Sequence, residues 1–320
     1  MKKTLIASAI AAISFSGAVA AQSAPSVYGN IQYIVKSIDV DGAGSTIEHA
    51  DNGTTLGVKH EHKIAPGLTG FFKLELDGFG ADEKDSDGAN IDEAFIGVKS
   101  DSFGQIFVGS EDGVYERAIV KIGNFYEAGS DIGTAGTTSE GDQIQYQSPS
   151  FGGLILGAGL QINGDGESGS TEASYPYQLS ATYAVDALSL AVAMDSNEAA
   201  AGSNENTYGL LATYSMGDLS VSGEYQTRSD DKDIFGVIGV YALGANTFAL
   251  SYQTQEDDAS GNSNDTIILQ ALHNLSDNMY VYAEGYLSNA DGATFYDDPD
   301  GTAPGGDEQT VAAVGAVYYF

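Results

Sequence analysis

The hexapeptide Phe72-Lys73-Leu74-Glu75-Leu76-Asp77 alternates strictly between apolar and charged residues. Successive side chains of a β-strand point to opposite faces, so this segment has one apolar and one charged face. Leu56 and Val58 stand against Lys59 and Glu61 in the same way, and Ile144 and Tyr146 against Gln143, Gln145 and Gln147. Alternating runs of about ten residues recur along the chain, sixteen in all, from 27–38, 54–64 and 68–79 through 143–149 to 279–289 and 309–320. No stretch sustains helical periodicity.

The first residues read differently. Lys2 and Lys3 precede an apolar run over 5–12 and a small-residue stretch ending Ala18-Val19-Ala20-Ala21. This is the pattern of a secretory signal peptide over residues 1–20, with cleavage after Ala20 or Ala21. The run is too short to span a bilayer, and no other stretch of about 18 apolar residues occurs, so no helix is expected to cross a membrane. A membrane role then requires a closed barrel, because only closure pairs every strand's backbone in lipid.

The chain carries 45 acidic and 12 basic residues, net −33, and no cysteine. Loss of Lys2 and Lys3 with the leader would take this to −35. Such a surface repels phosphate, which excludes nucleic acid as a partner. Without Cys, disulfides and thiolate metal sites are unavailable. The histidines are His49, His60, His62 and His273, and neither a Gly-x-Ser-x-Gly elbow nor a phosphate loop accompanies them. No enzyme, catalytic residue, metal site or cofactor is therefore expected.

Connections alternate in length. Ala65-Pro66-Gly67, Met216-Gly217-Asp218 and Ser276-Asp277-Asn278 are tight-turn sequences. Longer segments rich in Gly, Asp, Ser and Asn occupy 80–90, 111–142, 164–174, 196–206, 256–265 and 290–308. Short turns at one end and long loops at the other are the asymmetry of an outer-membrane barrel. Sixteen strands could also build two soluble sandwiches, but those have no reason to gather long loops at one end. The expected fold is all-β: residues 21–320 as a single transmembrane 16-stranded antiparallel β-barrel. Its apolar faces would meet lipid and its wet faces a lumen, with aromatics such as Tyr28, Tyr33, Phe107, Tyr280 and Tyr282 as interfacial girdles.

Four pieces carry a family resemblance: Val27-Tyr28-Gly29, Leu56-Gly57-Val58-Lys59, Ser148-Pro149-Ser150-Phe151-Gly152-Gly153 and the ending Val317-Tyr318-Tyr319-Phe320. In this order and spacing the chain resembles the general diffusion porins of Gram-negative bacteria along nearly the whole of 21–320. The resemblance implies a homotrimer in the outer membrane, touching lipid and lipopolysaccharide, with one pore per subunit for small hydrophilic solutes and ions. It also implies that Phe320 and Tyr318 belong to the signal read by the barrel assembly machinery. In that family the long third loop folds into the pore and narrows it, and residues 111–142 take that place. Tyr126-Glu127-Ala128-Gly129-Ser130-Asp131 resembles the family's loop motif Pro-Glu-Phe-Gly-Gly-Asp.

Glu127 and Asp131 are then the candidates for the acidic side of a constriction, with Glu111, Asp112 and Glu116 behind them and Arg117 and Lys121 as bases in the loop. Ordinary solvated loop acids are the alternative. The family's opposing arginines are missing, since Thr55, Ser110 and Gln147 stand where they are expected. Lys36, Lys59 and Lys73 are candidate wall cations beside the polar Gln143, Gln145 and Gln147. For Lys59 and Lys73, a plain salt bridge to Glu61 or Glu75 competes with a lumen role. Acids lining a pore attract cations, so a cation-preferring channel is expected. The alternatives are a substrate-selective porin, for instance for oligosaccharides, with Tyr115, Phe125 and Tyr126 as an aromatic slide, and a barrel serving mainly as adhesin or receptor. The Glu83–Gly88 run fits a calcium loop poorly, because Ala94 stands where a bidentate Glu is needed. Its place resembles the family's latch to a neighbouring subunit.

Overall fold

A computed structural model describes residues 24–42, 44–83, 88–129, 132–162, 173–198, 205–291 and 307–320. The leader, with its cleavage site, and residues 84–87 of the latch segment lie outside the described residues. The strands are β1 Ser26–Val40, β2 Gly44–Asp51, β3 Thr55–Ala65, β4 Leu68–Asp77, β5 Asn90–Ser100 and β6 Gly104–Ser110. They continue with β7 Gln143–Gln147, β8 Leu154–Gln161, β9 Tyr177–Val185, β10 Leu188–Asp195, β11 Thr207–Met216 and β12 Leu219–Arg228. The last are β13 Lys232–Leu243, β14 Asn246–Asp257, β15 Ser263–Ser276, β16 Met279–Ala290 and β17 Glu308–Tyr319.

All belong to one antiparallel sheet. β2 pairs with residues 33–40 of β1 and β3 with residues 26–30. They are two halves of one wall strand interrupted at 52–54, so the wall has sixteen positions and the run read as 54–64 is only its lower half. β17 pairs with β1 from Asn30↔Tyr319 to Val40↔Gln309, which closes the sheet and removes its edges. At this seam Gly29 and Phe320 exchange backbone hydrogen bonds of 3.2 and 3.1 Å. A Cβ on Gly29 would stand 2.4 Å from the Thr55 carbonyl oxygen and 2.8 Å from the Phe320 ring, so glycine is required there.

Across β9 to β12 the faces alternate as expected. Leu179, Val192, Leu210 and Tyr225 are exposed outside, whereas Gln178, Asp195, Glu224 and Gln226 are buried inside. From β13 through β17 to β1 the inner face is apolar as well, with Ile34, Ile38, Ile238, Ile268, Tyr286 and Val311 all buried. Ile122 and Tyr126 of the 111–142 segment pack into this patch, and their cover removes it from water. Tyr28, Phe107, Tyr280 and Tyr282 are not girdle residues, because they stand at inner positions; Phe107 and Tyr282 are 2% and 4% exposed.

The loop asymmetry is less complete than residue types imply. Opposite the tight turns, β12 and β13 are joined by residues 229–231 alone, and the expected 256–265 loop shrinks to 258–262 between β14 and β15. There the ladder continues through polar pairs, Lys232↔Asp257 and Glu256↔Ser263. Beyond the membrane band a strand needs no apolar face, so polarity does not end it.

Candidate functional site

The chain leaves β6 and returns in β7 at the adjacent position, Gly109 facing Gln143. Among the described residues no strand forms in between, so the backbone polar groups of this segment need partners elsewhere. Helix α1, Val114–Ile119, lays Tyr115, Ala118 and Ile119 against Ala191, Ala193 and Leu211. Small inner residues make room for it: a Cβ on Gly209 would come 2.7 Å from Ile119.

Three wall carboxylates take up backbone N–H groups of this segment. Glu224 on β12 accepts from Lys121 at 3.3 Å and Ile122 at 3.4 Å. Glu284 on β16 accepts from Glu127 at 2.9 Å and Ala128 at 3.0 Å, and also from Gln270 and the Tyr286 hydroxyl, each at 2.7 Å. Asp195 at the end of β10 accepts from Thr138 at 3.2 Å. The side-chain oxygen of Gln226 accepts from the Ala135 N–H and the Tyr115 hydroxyl, each at 3.0 Å, and Tyr126 donates to Ser251 on β14 at 2.7 Å. None of these three acids stands out in the sequence. Glu224 and Glu284 have inner parity between small or aromatic neighbours, but nothing local announces a partner.

Within the segment, Glu111 is buried and 3.7 Å from Arg117, which also donates to the Asp112 carbonyl at 2.8 Å and to the Gln145 side chain. Burial pushes the Glu111 carboxyl up to about 7, with Glu93 adding and Arg117 opposing. Glu116 accepts from Asn124 at 2.9 Å, and burial raises its carboxyl too. The carboxylates of Asp112, Glu116 and Glu140 lie within 4.8 Å of one another, as do those of Glu75, Asp92 and Glu93. Either trio could in principle receive a cation, although Lys73 already neutralises the second. Lys121 is half-buried, and desolvation lowers its ammonium below the usual range. Glu127 accepts the Tyr280 hydroxyl at 2.8 Å, while its carbonyl accepts from Asn52 at 2.7 Å. Burial pushes the Glu127 carboxyl up to about 7; Tyr280 pulls it down and Glu284 pushes it further up. Asp131 lies outside the described residues.

On the wall, Lys36 pairs with Glu48 at 3.3 Å, Lys99 with Glu61 at 2.6 Å, and Lys73 with Glu93 and, at 3.5 Å, with Glu75. Lys59 is exposed, makes no salt bridge among the described residues, and holds Nζ 4.5 Å from the centroid of the Tyr28 ring. Gln143 and Gln145 are buried, donating to the Ser139 and Asp112 carbonyls at 2.7 and 2.9 Å, and Gln147 accepts from Gln105 at 3.3 Å. Tyr115 and Tyr126, at 1% and 5% exposure, are packing residues and leave no face for a slide, and Phe125 packs beside Tyr126. Tyr318 and Phe320 are exposed on the outer face at the seam.

A closed wall of sixteen strand positions, apolar outside and polar within except for the patch that the 111–142 segment covers, defines a multi-pass β-barrel of the porin kind. Residues 7–293 match the family model described as Gram-negative porin, and the chain belongs to that family. It is accordingly a β-barrel of the Gram-negative outer membrane. It is 37% identical over 188 residues to a protein of Halomonas sp. named monosaccharide porin, covering 52% of this chain and 51% of the relative. A Bordetella pertussis outer membrane porin protein is 26% identical over 189 residues, 51% of this chain and 49% of the relative. The chain thus matches about half the length of these curated relatives. Among solved structures, the anion-selective porin from Comamonas acidovorans superposes with a TM-score of 0.76 at 20% identity, covering 93% of this chain and 99% of that one. Salmonella typhi OmpF gives 0.70 at 17% identity over 92% and 97%. These two likenesses speak for the fold.

Proposed function

We propose that the protein is a passive diffusion channel for small hydrophilic solutes and ions, a homotrimer with one pore per subunit, each narrowed by residues 111–142 and favouring cations. One observation carries the reading: a single loop bonds to inner-wall residues of β7, β10, β12, β14 and β16. A segment tied to so many wall strands crosses the bore and sets its width. Cation preference follows from the charges around it. Lys36, Lys73, Lys99 and Arg117 are each matched by a glutamate, whereas Asp112, Glu116 and Glu140 stand together without a base in salt-bridge contact among the described residues. The net negative potential concentrates cations.

The test is the purified trimer in a planar bilayer under a potassium chloride gradient. A reversal potential of cation sign is expected; the anion sign overturns the preference, and absence of conductance overturns the channel. Liposome swelling over a series of sugars should show graded exclusion by size. Saturable uptake of one sugar would instead favour the substrate-selective reading, to which the name of the Halomonas relative points.

A further inference from the structure

The register across the break in the wall strand carries one residue too many. Asp51 pairs with Tyr33 and Thr55 with Asn30, so residues 52–54 stand against 31–32 of β1. An extra residue of this kind is a β-bulge, which re-aims the side chains around it. Ladder bonds lost there pass to side chains: the Gln32 N–H donates to the Thr54 hydroxyl at 3.2 Å, and the Gln32 side-chain amide to the Gly53 carbonyl at 2.5 Å. Gly53 takes a φ of 98°, in the left-handed region that glycine enters without strain.

The two residues that enter the bulge serve opposite sides of the wall. Tyr33, exposed next to the buried inner Ile34, faces outward, and its register partner Asp51 stands beside it. Asp51 accepts the Thr54 N–H through one carboxylate oxygen and the Ala81 N–H through the other, each at 2.8 Å. The Tyr33 hydroxyl donates to the Ala81 carbonyl at 2.9 Å. Both backbone polar groups of Ala81 are thus clasped from the wall, which holds residues 78–83 against its outside. Asn52 points inward, where its side-chain amide donates to the Glu127 carbonyl at 2.7 Å and to the Tyr282 hydroxyl at 3.3 Å. Glu284 and Tyr280 hold the same loop tip from β16, so the bulge grips it from a second side.

We infer that Asp51 and Asn52 are positioning residues of the constriction, an assignment that rests on the channel reading above. They link the 78–83 segment outside the barrel to the tip of 111–142 inside it, and the width of the bore is set in part from outside the wall. Consecutive residues on one hydrogen-bonded bulge cannot shift independently, so strain on Asp51 reaches the Asn52 amide and the Glu127 carbonyl that it holds.

The experiment measures hydrogen exchange of the Glu127 and Ala128 amides in the full-length trimer, together with single-channel current in planar bilayers. Tyr33→Phe removes one hydroxyl outside the wall, and Asn52→Ala removes the donor inside it. Tyr33→Phe is expected to speed exchange of the tip amides at least about threefold and Asn52→Ala about tenfold, with broader open-channel current in both. The double variant should exchange no faster than Asn52→Ala alone, because both substitutions act through one link. If Asn52→Ala does not assemble, Tyr33→Phe against the wild type carries the test. Tip exchange and current at the wild-type level in Tyr33→Phe overturn the link and leave the channel reading intact, as does a double variant whose effects simply add. A trimer that conducts no ions overturns both.

Discussion

Tyr280 donates its hydroxyl proton to Glu127 at 2.8 Å, joining β16 to the tip of the 111–142 segment. Burial holds the Glu127 carboxyl at about 7 instead of its ordinary 4.5. A raised acid pKa means that the docked tip binds the proton more tightly than a released tip does. Docking is therefore firmest below about pH 4.5, weakens as pH rises to about 7, and is level above that. Current fluctuations of single channels are expected to grow across this interval. Tyr280→Phe removes the bond that favours the ionised form, so the upper limit should move above pH 7. Noise that is constant from pH 4.5 to 8 would contradict this.

Glu284 serves four donors with two oxygens, whereas glutamine has one acceptor oxygen and adds an NH2 among groups that already donate. Charge-assisted hydrogen bonds contribute about 1.5–3 kcal/mol each. Glu284→Gln is expected to weaken loop attachment by about 2–4 kcal/mol. Faster proteolysis within 111–142 and a larger, noisier conductance would report it. Wild-type behaviour in both would mean that the carboxylate is not an anchor.

Lys73 and Lys59 differ in what their removal strands. Lys73→Met leaves Glu93 and Glu75 half-buried without their cation, at a cost of about 1–3 kcal/mol. Lys59→Met strands no carboxylate, so its effect on stability should stay within about 0.5 kcal/mol. Heat-induced loss of the folded band on unboiled gels orders the two variants, and equal midpoints would refute the distinction.

Gly29→Ala forces a methyl group against the Thr55 carbonyl and the Phe320 ring at the only place where the two ends of the wall meet. Overpacking of this kind costs about 1–3 kcal/mol. Because the clash falls on the closing strand pair, slower assembly into bilayer vesicles is expected together with a lower unfolding temperature. Assembly at the wild-type rate would show that the seam tolerates the methyl.

The wall was legible because strand faces alternate residue by residue: Leu56 and Val58 against Lys59 and Glu61 suffice to orient β3. The interruption at 52–54 was not, since Asn52-Gly53-Thr54 looks like a loop although β2 continues the same ladder above it. The girdle reading, which rested on aromatics gathering at strand ends, failed for Tyr28, Phe107, Tyr280 and Tyr282, and the rule of apolar outside and polar inside failed for the inner face from β13 to β1. An apolar residue inside a water-filled barrel is unfavourable unless something covers it, and the cover comes from a segment remote in sequence.

The same reason separates what each level decided about the candidate site. Alternation, the near absence of helix and the acidic composition follow from relations between residues one or two apart, and the sequence by itself determined them. Which acids are solvated and which are anchors depends on contacts across the barrel. Glu224 lies 102 residues from Ile122, and Glu284 lies 157 from Glu127. Desolvation and hydrogen-bond satisfaction are set by such pairs, so only the tertiary structure decided that Glu224 and Glu284 hold the loop while Lys59 rests on the Tyr28 ring with no salt bridge among the described residues.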